Sequence, residues 1–307
     1  MPTLYDAVGG RVQRLRAAHE RRARGEVIHT HVPTGLPAFD ARFGGTEIGV
    51  STLVVGHTGD GKTSYLAQMC EGAARAGFPV RFYVVEDPED RVADRVLAAI
   101  TGASANDISR LRVDPDRLDG ALDGHLDWAR NIALVTDIST VDALLEDLES
   151  SDARFAAVDY AQGLSEDDKG MERMVSKLCM GLGKWAKRTR SASALGSQVA
   201  SEVLQRGRNR WERSLQTGRT PDVSGFRPGK GDAMWSKRLE QYSKAVHFVW
   251  RKGRWWKEMC AGDSARAAQC PDNTIEVRVG KQSYGPEGWE TFGWDGATTR
   301  IGPVVSQ

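Results

Sequence analysis

Thr52-Leu53-Val54-Val55-Gly56-His57-Thr58-Gly59-Asp60-Gly61-Lys62-Thr63-Ser64 is the stretch that decides the fold. Residues 52–56 read as a short strand, and 62–76 carry a helical pattern. Between them, Gly56 to Thr63 have the glycine spacing and the Gly-Lys-Thr ending of a phosphate-binding loop, in the strand–loop–helix setting that gives such a match its meaning. Glycines let backbone N–H groups turn inward around phosphate, and the helix N-terminus adds the positive end of its dipole. The nucleotide-binding residues are therefore Gly56, His57, Thr58, Gly59, Asp60, Gly61, Lys62, Thr63 and Ser64. Lys62 is expected to reach the β- and γ-phosphates of ATP, with the Thr63 hydroxyl on Mg2+. Asp60 is an unusual neighbour for phosphates, and its side chain is expected to point to solvent.

Outward from the loop, strands are expected at 80–85, 132–136, 155–158 and, on weaker propensity, the Ala/Ser-rich 192–196. Helical patterns at 89–100, 141–148 and 171–190 separate them. This alternation predicts an α/β fold with a mostly parallel sheet and helices on both faces. Residues 201–235 show no clear period and read as a long mobile loop. Strands at 245–250, 274–279, 288–292 and 298–301 follow, joined by hairpins. The expected organisation is one domain, 33–307, after a lead-in, 1–32, in which Leu4, Val8, Val12 and Leu15 recur at helical spacing.

Two acids fall at strand ends. Asp159 closes the apolar run from Phe155 and is the expected partner of Thr63 in the metal shell. Glu86 follows the 80–85 strand. Ligands of open parallel sheets bind at the carboxyl ends of strands, so both acids and the loop should converge there. Glu86 could orient or deprotonate an attacking water. Its other reading is as the first of several acids at a helix N-terminus, with Asp87, Glu89 and Asp90 behind it; catalysis is favoured, mainly on the resemblance given below.

With 307 residues, 40% hydrophobic and 27% charged, the chain has the make-up of a globular protein, and collagen-like or wholly disordered readings are excluded. It contains no secretory or membrane-spanning apolar run, so a cytoplasmic location is expected. Four cysteines are too few for a disulfide framework. Cys70 and Cys179 read as buried thiols, while Cys260 and Cys270 flank a polar loop. The formal charge of +1 hides a segregation: Glu86 to Glu166 hold 19 acidic and 7 basic residues, whereas Arg206 to Lys257 hold 14 basic and 4 acidic. The basic tract carries five of the nine tryptophans, a composition suited to phosphates and unpaired bases. Arg206, Arg208, Arg210, Lys237 and Arg238 are its candidate DNA contacts. Trp250, Trp255 and Trp256 read as core, and Trp211 and Trp235 fit either role.

These motifs together resemble the ATPase domain of DnaB-type hexameric replicative helicases, a branch of the RecA-like ATPases. The resemblance runs from about Val32 to Ile301. It includes the segment His31 to Asp40, Val85-Glu86 with Asp94-Arg95, and Val158-Asp159-Tyr160-Ala161-Gln162. Leu195-Gly196-Ser197-Gln198, Lys237 to Gln241 and Val279-Gly280-Lys281-Gln282-Ser283-Tyr284-Gly285-Pro286 complete it. It implies a RecA-like fold with a C-terminal β-hairpin extension and hydrolysis of Mg2+-ATP at subunit interfaces of a homo-hexamer. Glu86 would be the catalytic glutamate, Gln162 the link to the DNA loops, Gln198 the γ-phosphate sensor, and Lys281 a cation supplied to a neighbour. Single-stranded DNA, a primase and a helicase loader are the implied partners, in a bacterial or phage-infected cytosol.

Departures from the pattern shape the expectation. The family's arginine finger position holds Ser283, so hydrolysis is expected to be slow and to rely on Lys281. Met234 and Trp235 replace an arginine–glutamate pair of the DNA loop. The primase-docking domain of full-length members is expected to be missing. A DNA-dependent RecA-like ATPase without unwinding activity is the alternative; a kinase or regulatory ATPase would leave the basic tract unexplained.

Overall fold

The apolar run after Val50 becomes β1 (Ser51–Gly56), with all six residues buried. Strand periodicity sends Val54 to one face, where it joins Tyr65, Leu66, Met69, Phe82 and Ala157. Leu53 and Val55 go to the other, with Val158, Leu178, Leu182 and Trp185. A strand sandwiched this way needs apolar residues on both faces, which is why its sequence does not alternate. The computed structural model describes residues 3–122, 126–160, 164, 171–234, 242–269, 273–283 and 285–304.

Eight further strands complete the sheet: β2 (Val80–Val84), β3 (Ile132–Val135), β4 (Phe155–Asp159), β5 (Ala192–Gln198), β6 (Ala245–Trp250), β7 (Thr274–Lys281), β8 (Gly288–Asp295) and β9 (Arg300–Gly302). Their spatial order is β9-β8-β7-β6-β1-β5-β4-β2-β3. Neighbours from β6 through β1, β5, β4 and β2 to β3 run parallel, and β6-β7-β8-β9 run antiparallel. The expected α/β class and C-terminal hairpin strands are both present. Of the expected hairpins, β7–β8 and β8–β9 form, but β6 connects to β7 through a helix over Lys252–Met259. Trp255 and Trp256 are buried in that helix, so Trp250, Trp255 and Trp256 do pack as core.

The loop expected over 201–235 is the largest correction. Ser201–Gln216 is a sixteen-residue helix whose buried positions, Val203, Gly207, Trp211 and Ser214, recur every three or four residues. The period is hidden in the sequence because two of the four are not apolar. Gly207 is small for a reason: a Cβ there would lie 2.2 Å from the Phe226 ring. Trp211 is buried and meets Trp256 edge-on at 5.6 Å, which resolves it as core.

Two compact units divide the chain, Met1–His31 and Val32–Gln307. The first contains the helix Leu4–Ala23, closed by a capping box in which Thr3 and Asp6 satisfy each other's backbone N–H groups. None of its residues is buried. Cys70 and Cys179 are buried free thiols as expected, and Cys260 is buried; Cys270 lies outside the described residues.

His247, in β6, is fully enclosed, with Nδ1 3.0 Å from the Tyr65 hydroxyl, and burial lowers its pKa to about 3. The unfolded chain therefore binds a proton at this residue that the folded chain does not, between pH 6.5 and about 3. Stability contributed by the neutral ring is present above pH 6.5 and is lost as pH falls through that window. The melting-temperature gap between wild type and His247→Gln should accordingly narrow from about pH 7.5 to about pH 4.5; a constant gap would refute it.

Candidate nucleotide site

Strand register brings the chemistry to one end of the sheet. Gly56 pairs with Gln198 across β1 and β5, and Val84 pairs with Asp159 across β2 and β4. The Gly56 to Thr63 loop, Gln198, Asp159 and, two residues past β2, Glu86 thus share the carboxyl-end crevice. The loop itself is tightly set. Gly61 has φ +95°, and a Cβ there would lie 2.9 Å from Ile275 Cδ1 and 3.2 Å from the Trp294 ring.

Lys62 opens the helix Lys62–Arg75 and is buried, its Nζ donating to the carbonyls of Gly56 (2.9 Å) and His57 (3.1 Å). Burial lowers its pKa, while the Asp159, Asp60 and Glu86 carboxylates oppose that shift. Thr63 gives its hydroxyl to Asp159. Burial raises the Asp159 pKa, with the Thr63 hydrogen bond and the Lys62 charge opposing. The buried Oδ1 of Asp159 has no hydrogen-bond partner among the described residues. An orphaned carboxylate oxygen beside a hydroxyl is an oxygen donor set that fits a hard divalent cation such as Mg2+.

A second relay lies alongside. Gln198 Nε2 donates to the Tyr160 hydroxyl at 3.1 Å, and Tyr160 is also hydrogen-bonded to Glu86. Burial and the Glu86 carboxylate push the Tyr160 pKa up to about 12. Sequence alone assigns Tyr160 no role, since one aromatic after a strand carries no signal; register reveals it as the bridge between Gln198 and Glu86.

Asp60 does not point to solvent. It is fully buried, with Oδ1 3.3 Å from Arg254 Nη1 and Oδ2 3.3 Å from Trp255 Nε1. Burial raises its pKa to about 7, against the pull of Arg254 and the Trp255 hydrogen bond. The Lys252–Met259 helix reaches over the loop to supply both partners. His57 is buried beside them, with Nε2 2.9 Å from the Phe226 carbonyl and its ring 4.7 Å from that of Trp255. Burial lowers the His57 pKa to about 4.

Residues 31–302 match the family described as the DnaB-like helicase C terminal domain. The chain belongs to this family. Its fold is similar to that of a separately solved ATPase domain, with a TM-score of 0.72 at 18% identity over 95% of this chain and 98% of that one. A DnaB-like replicative helicase, solved in a study of its interactions with primase, gives 0.71 at 18% identity over 95% and 66% of the respective chains. The KaiC-like protein PH0186 from Pyrococcus horikoshii OT3 gives 0.53 at 16% identity over 88% and 97%. No curated protein sequence matches the chain.

Four further candidate residues of this DnaB-like domain, Lys281, Arg206, Arg208 and Arg210, are also described. Lys281 pairs with Val246 at the amino-terminal end of β6, the end of the sheet opposite to its own phosphate loop, and donates to the Ser243 carbonyl at 2.8 Å. Arg206 and Arg210 sit on the Ser201–Gln216 helix and are paired within the chain. Arg206 binds Asp232 at 2.8 Å, and Arg210 binds Asp222. Both keep about half of the side chain exposed, at 48% and 59%, and Arg208 is exposed between them. Arg206 and Arg210 border a groove of about 900 Å³ with Gln205, Asn209 and Arg213. Gln162, Lys237, Arg238 and Trp235 lie outside the described residues.

Proposed function

We propose that this DnaB-like domain is the motor of an ATP-driven DNA helicase, hydrolysing ATP at the subunit interfaces of a homo-hexameric ring and moving on single-stranded DNA during replication. The observation that carries this reading is the convergence of Lys62, the Thr63–Asp159 pair and the Glu86–Tyr160–Gln198 relay at one sheet end. Lys62 exchanges two loop carbonyls for the β- and γ-phosphates. Thr63 and Asp159 would hold Mg2+, which would supply charge neutralisation on those phosphates. Glu86 orients the attacking water, and Gln198 senses the γ-phosphate through contacts it shares with Tyr160. The location of Lys281, far from its own loop, suits a residue that serves a neighbour's nucleotide.

The Ser201–Gln216 helix begins three residues after Gln198, so a change at the γ-phosphate has a short path to Arg206, Arg208 and Arg210. Their contacts would be with backbone phosphates; Lys237 and Arg238 would add to them, and Gln162 would be the coupling residue. A primase or helicase loader would be a further partner, and the cytoplasm the site of action. No helix among the described residues is long and apolar enough to cross a membrane.

Ser283, in place of an arginine, favours a second reading, a DNA-stimulated ATPase that does not unwind. A forked duplex separates the two. Strand displacement that requires hydrolysable ATP is the expected result. ATPase activity stimulated by single-stranded DNA without displacement would leave only the second reading, and no stimulation by DNA would remove both.

A further inference from the structure

We propose that Arg254 is a phosphate-binding cation supplied in cis, held on Asp60 and passed to the nucleotide when it enters the loop. This rests on the reading of Gly56 to Thr63 as a nucleotide site and adds a residue that the reading does not contain.

A carboxylate inside a phosphate loop repels its ligand, so Asp60, two residues before Lys62, needs an explanation. Arg254 lies against the loop closely enough that a Cβ on Gly59 would be 3.1 Å from its Nε. Its charge also acts on Lys62 and His57. The Asp60 side chain is 0% exposed whereas that of Arg254 is 26% exposed, so the carboxylate lies behind and the guanidinium has an open face.

The contact between them is loose. Charge-assisted N–H···O bonds run about 2.7–2.9 Å, and this one is 3.3 Å. Arg254 is also held by Glu258 at 3.1 Å, on its own helix one turn away, which keeps the side chain over the loop. Asp60 would not be stranded by the exchange, because Trp255 Nε1 also donates to it. That indole is fixed by stacking on Phe226 at 4.2 Å and 9°. A second cation, Arg251, stays in place, its Nη1 on the Gly59 carbonyl and its guanidinium 4.2 Å over the Trp294 ring. The geometry thus provides two cations against the loop, Arg254 lying 4.3 Å over the Trp255 ring, and a buried carboxylate that competes with phosphate for Arg254.

Competition gives the two partners opposite signs. Arg254→Gln should weaken binding of Mg2+-ATP about tenfold, the scale of one charge-assisted hydrogen bond. Asp60→Asn frees Arg254 and keeps the shape of the side chain, so it should tighten binding several-fold. The Asp60→Asn gain should disappear in the double variant, which is the coupling expected of residues acting as a pair. The measurement is equilibrium titration of the full chain with a fluorescent ATP analogue and Mg2+, with thermal melting to establish folding. If Arg254→Gln does not fold, Arg254→Lys, alone and with Asp60→Asn, takes its place.

Weaker binding by Asp60→Asn would overturn the proposal, since the pair would then only shape the loop. A gain that persists without Arg254 would overturn it too, leaving mere removal of a repelling charge. Lys62→Ala serves as reference: if it leaves binding unchanged, the nucleotide reading itself fails, whichever way the Arg254 variants behave.

Discussion

Lys62→Ala is expected to reduce ATP turnover by about 10²–10³-fold or more, the range for loss of one preorganised charge stabiliser. The surroundings of Lys62 make a binding defect as large as the catalytic one. Its ammonium is acted on by three acids, Asp159, Asp60 and Glu86, and by one further cation, Arg254. Removing it takes the central positive charge out of a crevice that must hold a polyanion. Both the dissociation constant for Mg2+-ATP and the turnover number should therefore change, rather than turnover alone. Folding should survive, because the hydrogen bonds lost are those to the Gly56 and His57 carbonyls, at about 1 kcal/mol for each such bond. Steady-state ATPase and nucleotide titration measure the two effects, with circular dichroism as control. Turnover within about threefold of wild type, well short of a lost charge stabiliser, would remove Lys62 from the mechanism and, with it, the phosphate-loop assignment.

The inner sheet was legible because strands buried on both faces, such as β1, β4 and β6, are near-continuous apolar runs. Even β5, made largely of alanine, serine and glycine, could be recognised from its place in the alternation. The structure explains that composition: a Cβ on Gly196 would lie 3.1 Å from Tyr160 Cβ and 3.2 Å from Leu66 Cδ1, so larger residues have no room. The site's strand-end acids were legible for the same topological reason.

What could not be read depends on contacts between distant segments. Ser201–Gln216 hides its helical period because its buried face includes Gly207 and Ser214, whose burial is set by Phe226 and the Trp211 environment rather than by their own polarity. The Asp60 side chain turns inward because a helix nearly two hundred residues later brings Arg254 and Trp255 over it. Nothing local in the Gly59-Asp60-Gly61 turn carries that information. The basic tract was visible as a block of charge, but composition could not tell which arginines have carboxylate partners. Arg206 and Arg210 turn out to be among them.

Asp159→Asn should move activity and stability in opposite directions. Asp159 is 5% exposed, and one of its oxygens is buried without a hydrogen-bond partner among the described residues. Burial holds its carboxyl above the ordinary carboxylate range in spite of Thr63, Lys62 and Arg95. A raised folded-state pKa means that the native chain binds this proton more tightly than the unfolded chain. The ionised group is consequently a cost to folding at neutral pH, and the cost fades as pH falls below the folded pKa. Asparagine keeps the shape, and its single amide oxygen can take the Thr63 hydrogen bond, but it brings no charge into the crevice. The variant should melt at a higher temperature than wild type at about pH 7.5, and the difference should shrink towards about pH 4. Its Mg2+-dependent ATP turnover should fall by about 10²–10³-fold, because the metal loses its anionic protein ligand. Such a trade is expected where a group is retained for chemistry rather than for folding. A lower melting temperature would mean that attraction to Lys62 and Arg95 outweighs desolvation, and retained turnover would take Asp159 out of the metal shell.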